Sequence, residues 1–205
     1  MKEKEVRDLY ENGFAAREVA GKLGVSIDRV YKLMRKKHIP RRSPVEANRI
    51  AYSKKEASFR LVFIENKEQE SLKLAGVMLY WAEGTKLGAT VDFANSDERM
   101  ISIFLKFLRN ICCVDEKKLR AYLYCYPQQD VNFLVDYWAE LTGIPRARFI
   151  KPYVRRDATG KTDHRMKYGL IHLRYHDKKL MVQLLKWIDE YCRKFREGYP
   201  SGQRG

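Results

Sequence analysis

Chemistry is concentrated where one apolar stretch closes on an acid. In Ser71 to Lys86, SLKLAGVMLYWAEGTK, apolar and small side chains cover both sides of a helix: Leu72, Ala75, Gly76, Leu79 and Ala82 on one face, Leu74, Val77, Met78 and Trp81 on the other. Such a helix is expected to be buried on two sides. It ends in Glu83-Gly84, although the helix dipole already puts partial negative charge at that end and favours cations there. Gly84 suits a left-handed cap. Glu83 therefore calls for a cationic neighbour, and a divalent metal is the economical one. His38, His164, His172 and His176 share no metal-ligand spacing, and Cys112, Cys113, Cys125 and Cys192 form no CxxC pair. The four thiols are expected to be reduced, and mostly buried.

The second chemical signal is charge. The 205-residue chain carries a net charge of +15 with a pI near 9.7, which implies a polyanionic partner or surface. Its 45% hydrophobic content is enough for a real core. From Arg29 to Arg60 there are eleven basic residues against only Glu46 and Glu56. A second basic concentration is Arg146, Arg148, Lys151, Arg155, Arg156, Lys161, Arg165, Lys167 and Arg174. No apolar run approaches the roughly 20 residues of a membrane span, and Met1-Lys2-Glu3-Lys4-Glu5 is charged from the start. A cytoplasmic protein with no membrane partner is expected.

These residues need elements to hold them. Residues 3 to 37 read as three short helices: Val6, Leu9 and Tyr10 mark the first, Ala15 to Leu23 the second, and Ile27 to Lys37 the third, with Ser26 as its N-cap. Asp28, Arg29, Lys32, Arg35 and Lys36 then face outward, while Pro40-Arg41-Arg42-Ser43-Pro44 reads as an extended basic arm or a flexible linker. Residues 1–44 form the first domain, 45–67 a basic linker containing a helix, 68–196 the main domain, and 197–205 a disordered tail resembling read-through. In the main domain, alternation and capping predict strands at Ala89–Ala94, Leu119–Tyr126, Phe149–Arg156 and Arg165–Tyr175. Helices are predicted at Glu98–Cys112, Val131–Thr142 and Asp177–Phe195. The expected architecture is an α+β sandwich with an antiparallel sheet and its helices on one face. The last two strands are expected to pair as a basic ribbon of major-groove width, with Lys151, Tyr153 and Arg155 on one side of its first strand, and His172 and Arg174 together on its second.

Leu79-Tyr80-Trp81-Ala82-Glu83-Gly84 resembles the second half of the LAGLIDADG motif of homing endonucleases and their regulatory relatives, with Ala82, Glu83 and Gly84 on its final Ala-Asp-Gly. Met78 stands at the motif's glycine, and Leu74-Ala75-Gly76 carries its opening letters two residues early. Thr90 to Leu108 resembles the strand, turn and helix that follow the motif in that family. In the first domain, EVAGKLGVSIDRVYKLMRKKHI is similar to the helix-turn-helix of resolvases and small regulators, through Ala20, Gly24, Val25 and Val30.

The two resemblances imply a double-stranded DNA partner, contacted by Arg29, Lys32, Arg35, Lys36, Arg41 and Arg42 and by a curved sheet carrying Lys151, Arg155 and Arg174. They imply a homodimer crossing at Ala75, Gly76 and Ala82. Two functions follow. One is a homing-type endonuclease with Glu83 as catalytic metal ligand for Mg2+ or Mn2+ and Lys167 positioning water or phosphate; Lys86, Asp92 and Asp97 are secondary choices, Asp97 being favoured as a helix cap. The other is a non-cleaving regulator on a degenerate form of the same fold.

Overall fold

The structure, a computed structural model, describes residues 3–155 and 166–196. The chain divides into two units, Met1–Glu56 and Ala57–Gly205. The described residues form an α+β arrangement of eight α-helices and one four-stranded mixed sheet.

The first unit holds α1 (Glu3–Glu11), α2 (Ala16–Lys22), α3 (Ile27–Lys36) and α4 (Pro44–Lys54). Val6, Tyr10, Val19, Ala20, Val30, Met34 and Ile39 are its buried core. Between α2 and α3 the backbone reverses at Gly24, whose φ of +62° favours glycine. The Val25 N–H then donates to the Ala20 carbonyl at 3.0 Å, and the Ser26 hydroxyl caps α3 by accepting from the Arg29 N–H at 3.4 Å.

The segment expected to be a linker is shared between the units. Ser43 and Glu46 form a capping box that starts α4, and the Lys54 ammonium donates to the Gly13 carbonyl at 2.8 Å, tying α4 to the first unit. Phe59, Val62 and Ile64 instead pack against the second core. Ser58 gives its N–H and hydroxyl to Asp177 Oδ2 at 2.9 and 2.7 Å, and the Arg60 and Val62 N–H groups donate to the carbonyls of Cys112 and Ile111. The boundary lies at Glu56 and Ala57: before it Lys54 ties α4 to the first unit, and after it Phe59, Val62 and Ile64 pack on the second core.

The second unit runs α5 (Lys67–Glu83), β1 (Val91–Asn95), α6 (Glu98–Asn110), β2 (Leu119–Cys125), α7 (Val131–Thr142), β3 (Phe149–Val154), β4 (Leu170–Tyr175) and α8 (Lys178–Arg196). Asn66, Asp97 and Asp130 cap α5, α6 and α7. The strand order is β1-β4-β2-β3. Two expectations are corrected. The sheet is mixed, because β2 and β3 run parallel: α7 carries the chain back to the end from which β2 started, as a helical crossover does. β3 and β4 do not form a two-stranded ribbon, because β2 lies between them and pairs antiparallel with β4. The connecting residues 157–164, with Arg156, Arg165, Lys161 and the tail 197–205, lie outside the described residues.

Alternate side chains settle the two faces. Val91, Phe93, Leu119, Ala121, Leu123, Ile171, Leu173 and Tyr175 enter a core shared with the helices through Phe104, Phe107, Trp138 and Leu184. Asp92, Ala94, Tyr122, Tyr124, His172 and Arg174 alternate with them and stay partly exposed on the other face.

On α5 the expected pairing of faces is also corrected. Gly76 faces α6: a Cβ there would fall 2.1 Å from Cγ of Phe107. Gly76, Val77 and Tyr80 are buried, while Leu74 and Trp81 stay 39% and 45% exposed. Ala75 is half-buried and Ala82 exposed on that outer side. Gly76 is therefore an intradomain packing residue, not part of an outward dimer face. Gly76→Ala should lower stability by about 1–3 kcal/mol, the usual cost of overpacking a core. Denaturant titration checks this, and an unchanged midpoint would refute the tight α5–α6 contact.

Candidate functional site

The end of α5 is delivered to the outer edge of β1 by a close approach. Gly84 has φ −81° and ψ 153°, an extended conformation and not the expected left-handed cap. Glycine is needed there for space: a Cβ would lie 2.2 Å from Cδ2 of Tyr80. Gly84 bridges to Phe93, and the Thr85 N–H donates to the Asp92 carbonyl at 2.9 Å. The Tyr80 hydroxyl donates to the Thr85 carbonyl; burial, then the charge of Asp92, pushes its pKa up to about 12. Glu83 is left exposed beside this edge. Lys86, its nearest basic residue in sequence, donates from Nζ to the Gly84 carbonyl at 2.5 Å and does not pair with Glu83.

Asp92 organises the partly exposed sheet face. Its Oδ1 lies 2.8 Å from Nδ1 of His172, and its Oδ2 accepts from Nε of Arg174 at 2.7 Å. Register explains the meeting, since Arg174 is directly opposite Asp92 and His172 opposite Ala94 in the β1–β4 pair. Burial alone raises the Asp92 pKa, but hydrogen bonding to His172, with the charges of His172 and Arg174, outweighs it and holds the carboxyl below its ordinary value. The Arg174 guanidinium lies 4.5 Å from the centre of the Tyr122 ring. Arg120 stands opposite Arg174 on β2, an unfavourable like-charge pairing. It turns its own guanidinium into the carbonyls of Lys117 and Leu119.

Among the described residues of one chain, the expected donors do not come together for a divalent metal. Both oxygens of Asp92 are engaged, Asp97 caps α6, and Glu83 remains as a single carboxylate. Hydrogen bonding by Arg99 lowers Asp97 to about 2. Among the described residues no group of three His, Cys, Asp or Glu is placed to hold a metal. Lys167 is not joined to Glu83 either: its ammonium lies 4.8 Å from the Tyr168 ring, and the Tyr168 hydroxyl raises its pKa.

The expected basic residues divide into free faces and structural contacts. Arg29, Lys32, Arg35 and Lys36 are exposed along α3. Arg41 lies with its guanidinium 4.5 Å from the Tyr31 ring. Arg42 is tied down, donating to the Phe14 carbonyl at 3.1 Å with its guanidinium 4.1 Å from the Tyr10 ring, so the segment is not a loose arm. Arg146 pairs with Asp136, and Arg148 donates to the Glu116 carbonyl at 2.7 Å. Lys151 and Arg155 border a shallow groove with Tyr122 and Tyr153. The β2–β3 register shifts between Tyr122 and Tyr124, so Ile150 and Tyr153 stand opposite the two tyrosines, where strict alternation puts Lys151 with Tyr153. Charge does not mark the rings of this face. Their signal was the alternation Arg120, Tyr122, Tyr124 against Leu119, Ala121, Leu123.

No family model, curated protein or solved structure matches the chain.

Asp92→Asn should destabilise the fold by roughly 1.5–3 kcal/mol at neutral pH, the range for hydrogen bonds to charged groups. The sign follows from linkage: a carboxyl with a lowered folded pKa contributes fully above its unfolded value, near 3.8, and loses that contribution as pH falls through the lower folded value. The stability gap between the two proteins should therefore close below about pH 3.8. A gap independent of pH would show that the charge of Asp92 is not what stabilises.

Proposed function

We propose that the chain is a sequence-specific binder of double-stranded DNA, of LAGLIDADG type, acting in the cytoplasm as a homodimer with an N-terminal helix-turn-helix. One observation carries this reading: a partly exposed sheet face on which Asp92 is engaged by His172 and Arg174, with Lys151 and Arg155 bordering the groove at its β3 edge. Phosphate contacts supply most nucleic-acid affinity, and a face of this sign suits them. The first unit adds support, since the tight Gly24 turn presents Arg29, Lys32, Arg35 and Lys36 outward on α3, the arrangement that groove docking needs.

Dimer formation rests on α5. Leu74, Ala75, Met78, Trp81 and Ala82 follow the spacing of one helical face, and Ala75 and Ala82 are small enough for a close crossing. A two-fold pair would give the DNA site near-palindromic symmetry. The protein should sediment as a dimer at tens of micromolar and Trp81→Asp as a folded monomer; a wild-type monomer would remove this part of the proposal.

The reading as a non-cleaving regulator takes precedence, because among the described residues no group of three His, Cys, Asp or Glu is placed to hold a metal. The endonuclease reading is kept on one observation, the exposure of Glu83 at the end of that helical face. It needs Mg2+ or Mn2+ held between Glu83 and its copy in the partner. One experiment separates them: selection from a random duplex pool, then incubation of the selected duplex with and without Mg2+. Binding without cleavage decides for the regulator, and Mg2+-dependent cleavage lost in Glu83→Gln for the enzyme. On the selected site Arg29→Ala and Arg35→Ala should each cost about 1–3 kcal/mol if they reach base edges. No enrichment of any duplex would overturn the proposal.

A further inference from the structure

Three tyrosines occupy the same sheet face as Asp92. Tyr122 and Tyr124 from β2 stand with ring centres 4.9 Å apart, and Tyr153 from β3 lies 5.2 Å from Tyr124. The His172 ring, oriented by Asp92, is 4.8 Å from Tyr124 and 5.7 Å from Tyr122. Tyr153, on an edge strand, is 49% exposed and lies in the shallow groove with Pro127 and Pro152 as further apolar walls. Lys151 and Arg155 border the groove, and Arg174 stands over Tyr122.

Aromatic rings carry large apolar surface, and a face meant only for water has no use for three of them together. Phosphates alone do not explain them either, because basic side chains suffice for that contact. A closed duplex offers base edges in its grooves, with its base faces already stacked on one another. Ring faces on a protein gain a partner only where bases are unpaired.

We infer that the Tyr122, Tyr124 and Tyr153 face binds an unpaired stretch of DNA, with a base stacked on Tyr153 and the neighbouring phosphates held by Lys151, Arg155 and Arg174. The charge of the groove selects the polyanion, and the rings select its single-stranded form. His172 and Asp92 act as the support that fixes the tyrosine floor. The inference rests on the reading of this sheet face as DNA-binding, and is independent of the helix-turn-helix.

The test is fluorescence anisotropy of the full-length protein with labelled oligothymidylate, which cannot pair with itself, and with a labelled random duplex of equal length. Wild type should bind both. Tyr153→Ala should weaken oligothymidylate binding about ten-fold, within the range for one lost base–aromatic stack, and change duplex affinity less than two-fold. Tyr153→Phe should restore single-strand binding, since the ring is kept. Unchanged melting of Tyr153→Ala would show that the fold is intact; if it melts early, Tyr153→Leu, which keeps apolar bulk without the ring, serves in its place, and should weaken oligothymidylate binding more than duplex binding. Duplex binding without oligothymidylate binding, or equal losses on both ligands, would overturn this inference and leave the proposed function standing. Failure to bind either DNA would overturn both.

Discussion

The contact of Gly76 with Phe107 fixes how the second unit is assembled. Without a Cβ at Gly76 the α5 and α6 backbones come close enough for the Phe107 ring to sit on α5, and dispersion over that ring is available only at short range. The rotation of α5 follows. Val77 and Tyr80 turn into the core with Gly76, so Leu74 and Trp81 turn out. One turn later Gly84 meets the Tyr80 ring and bridges to Phe93. Two glycines, both chosen for space and not for backbone freedom, thus set the position of Glu83 relative to the sheet.

The partly exposed sheet face solves a different problem, an electrostatic one. β2 and β4 put Arg120 opposite Arg174, and like charges opposite one another destabilise a sheet. Asp92 takes the guanidinium of Arg174 and hydrogen-bonds the ring of His172, and Arg120 finds backbone carbonyls instead. The result is a face of packed rings on which Asp92, Arg174 and Arg120 are all engaged within the chain. The same arrangement removes Asp92 from any list of available metal ligands.

A substantial part of this was legible in the sequence. The helical spacing of Val6, Tyr10, Val30 and Met34, the Gly24 turn and the Ser26 cap are local features, and local propensity places them within a residue or two. The same is true of α6, α7, β2 and the Asp97 cap. What the chain left open was which elements are neighbours. The residues of β3 and β4 are adjacent in the order of strands, and proximity in sequence favours a hairpin; the insertion of β4 between β1 and β2 is a long-range pairing that no local pattern records.

The sequence by itself determined that there would be an α+β unit with a basic surplus, a helix apolar on two sides and an acid at its end. Tertiary structure alone decided which side of that helix was already used, because both sides are apolar and only the fit of Phe107 against Gly76 distinguishes them. It also decided which charges are free. Arg42, Arg146 and Arg148 look equivalent to Arg29 and Lys151 in composition, yet the first three are committed to carbonyls or to Asp136. Net charge is a sum over residues and is fixed by the chain; the pattern of charge on a face depends on which partners folding brings within hydrogen-bonding distance.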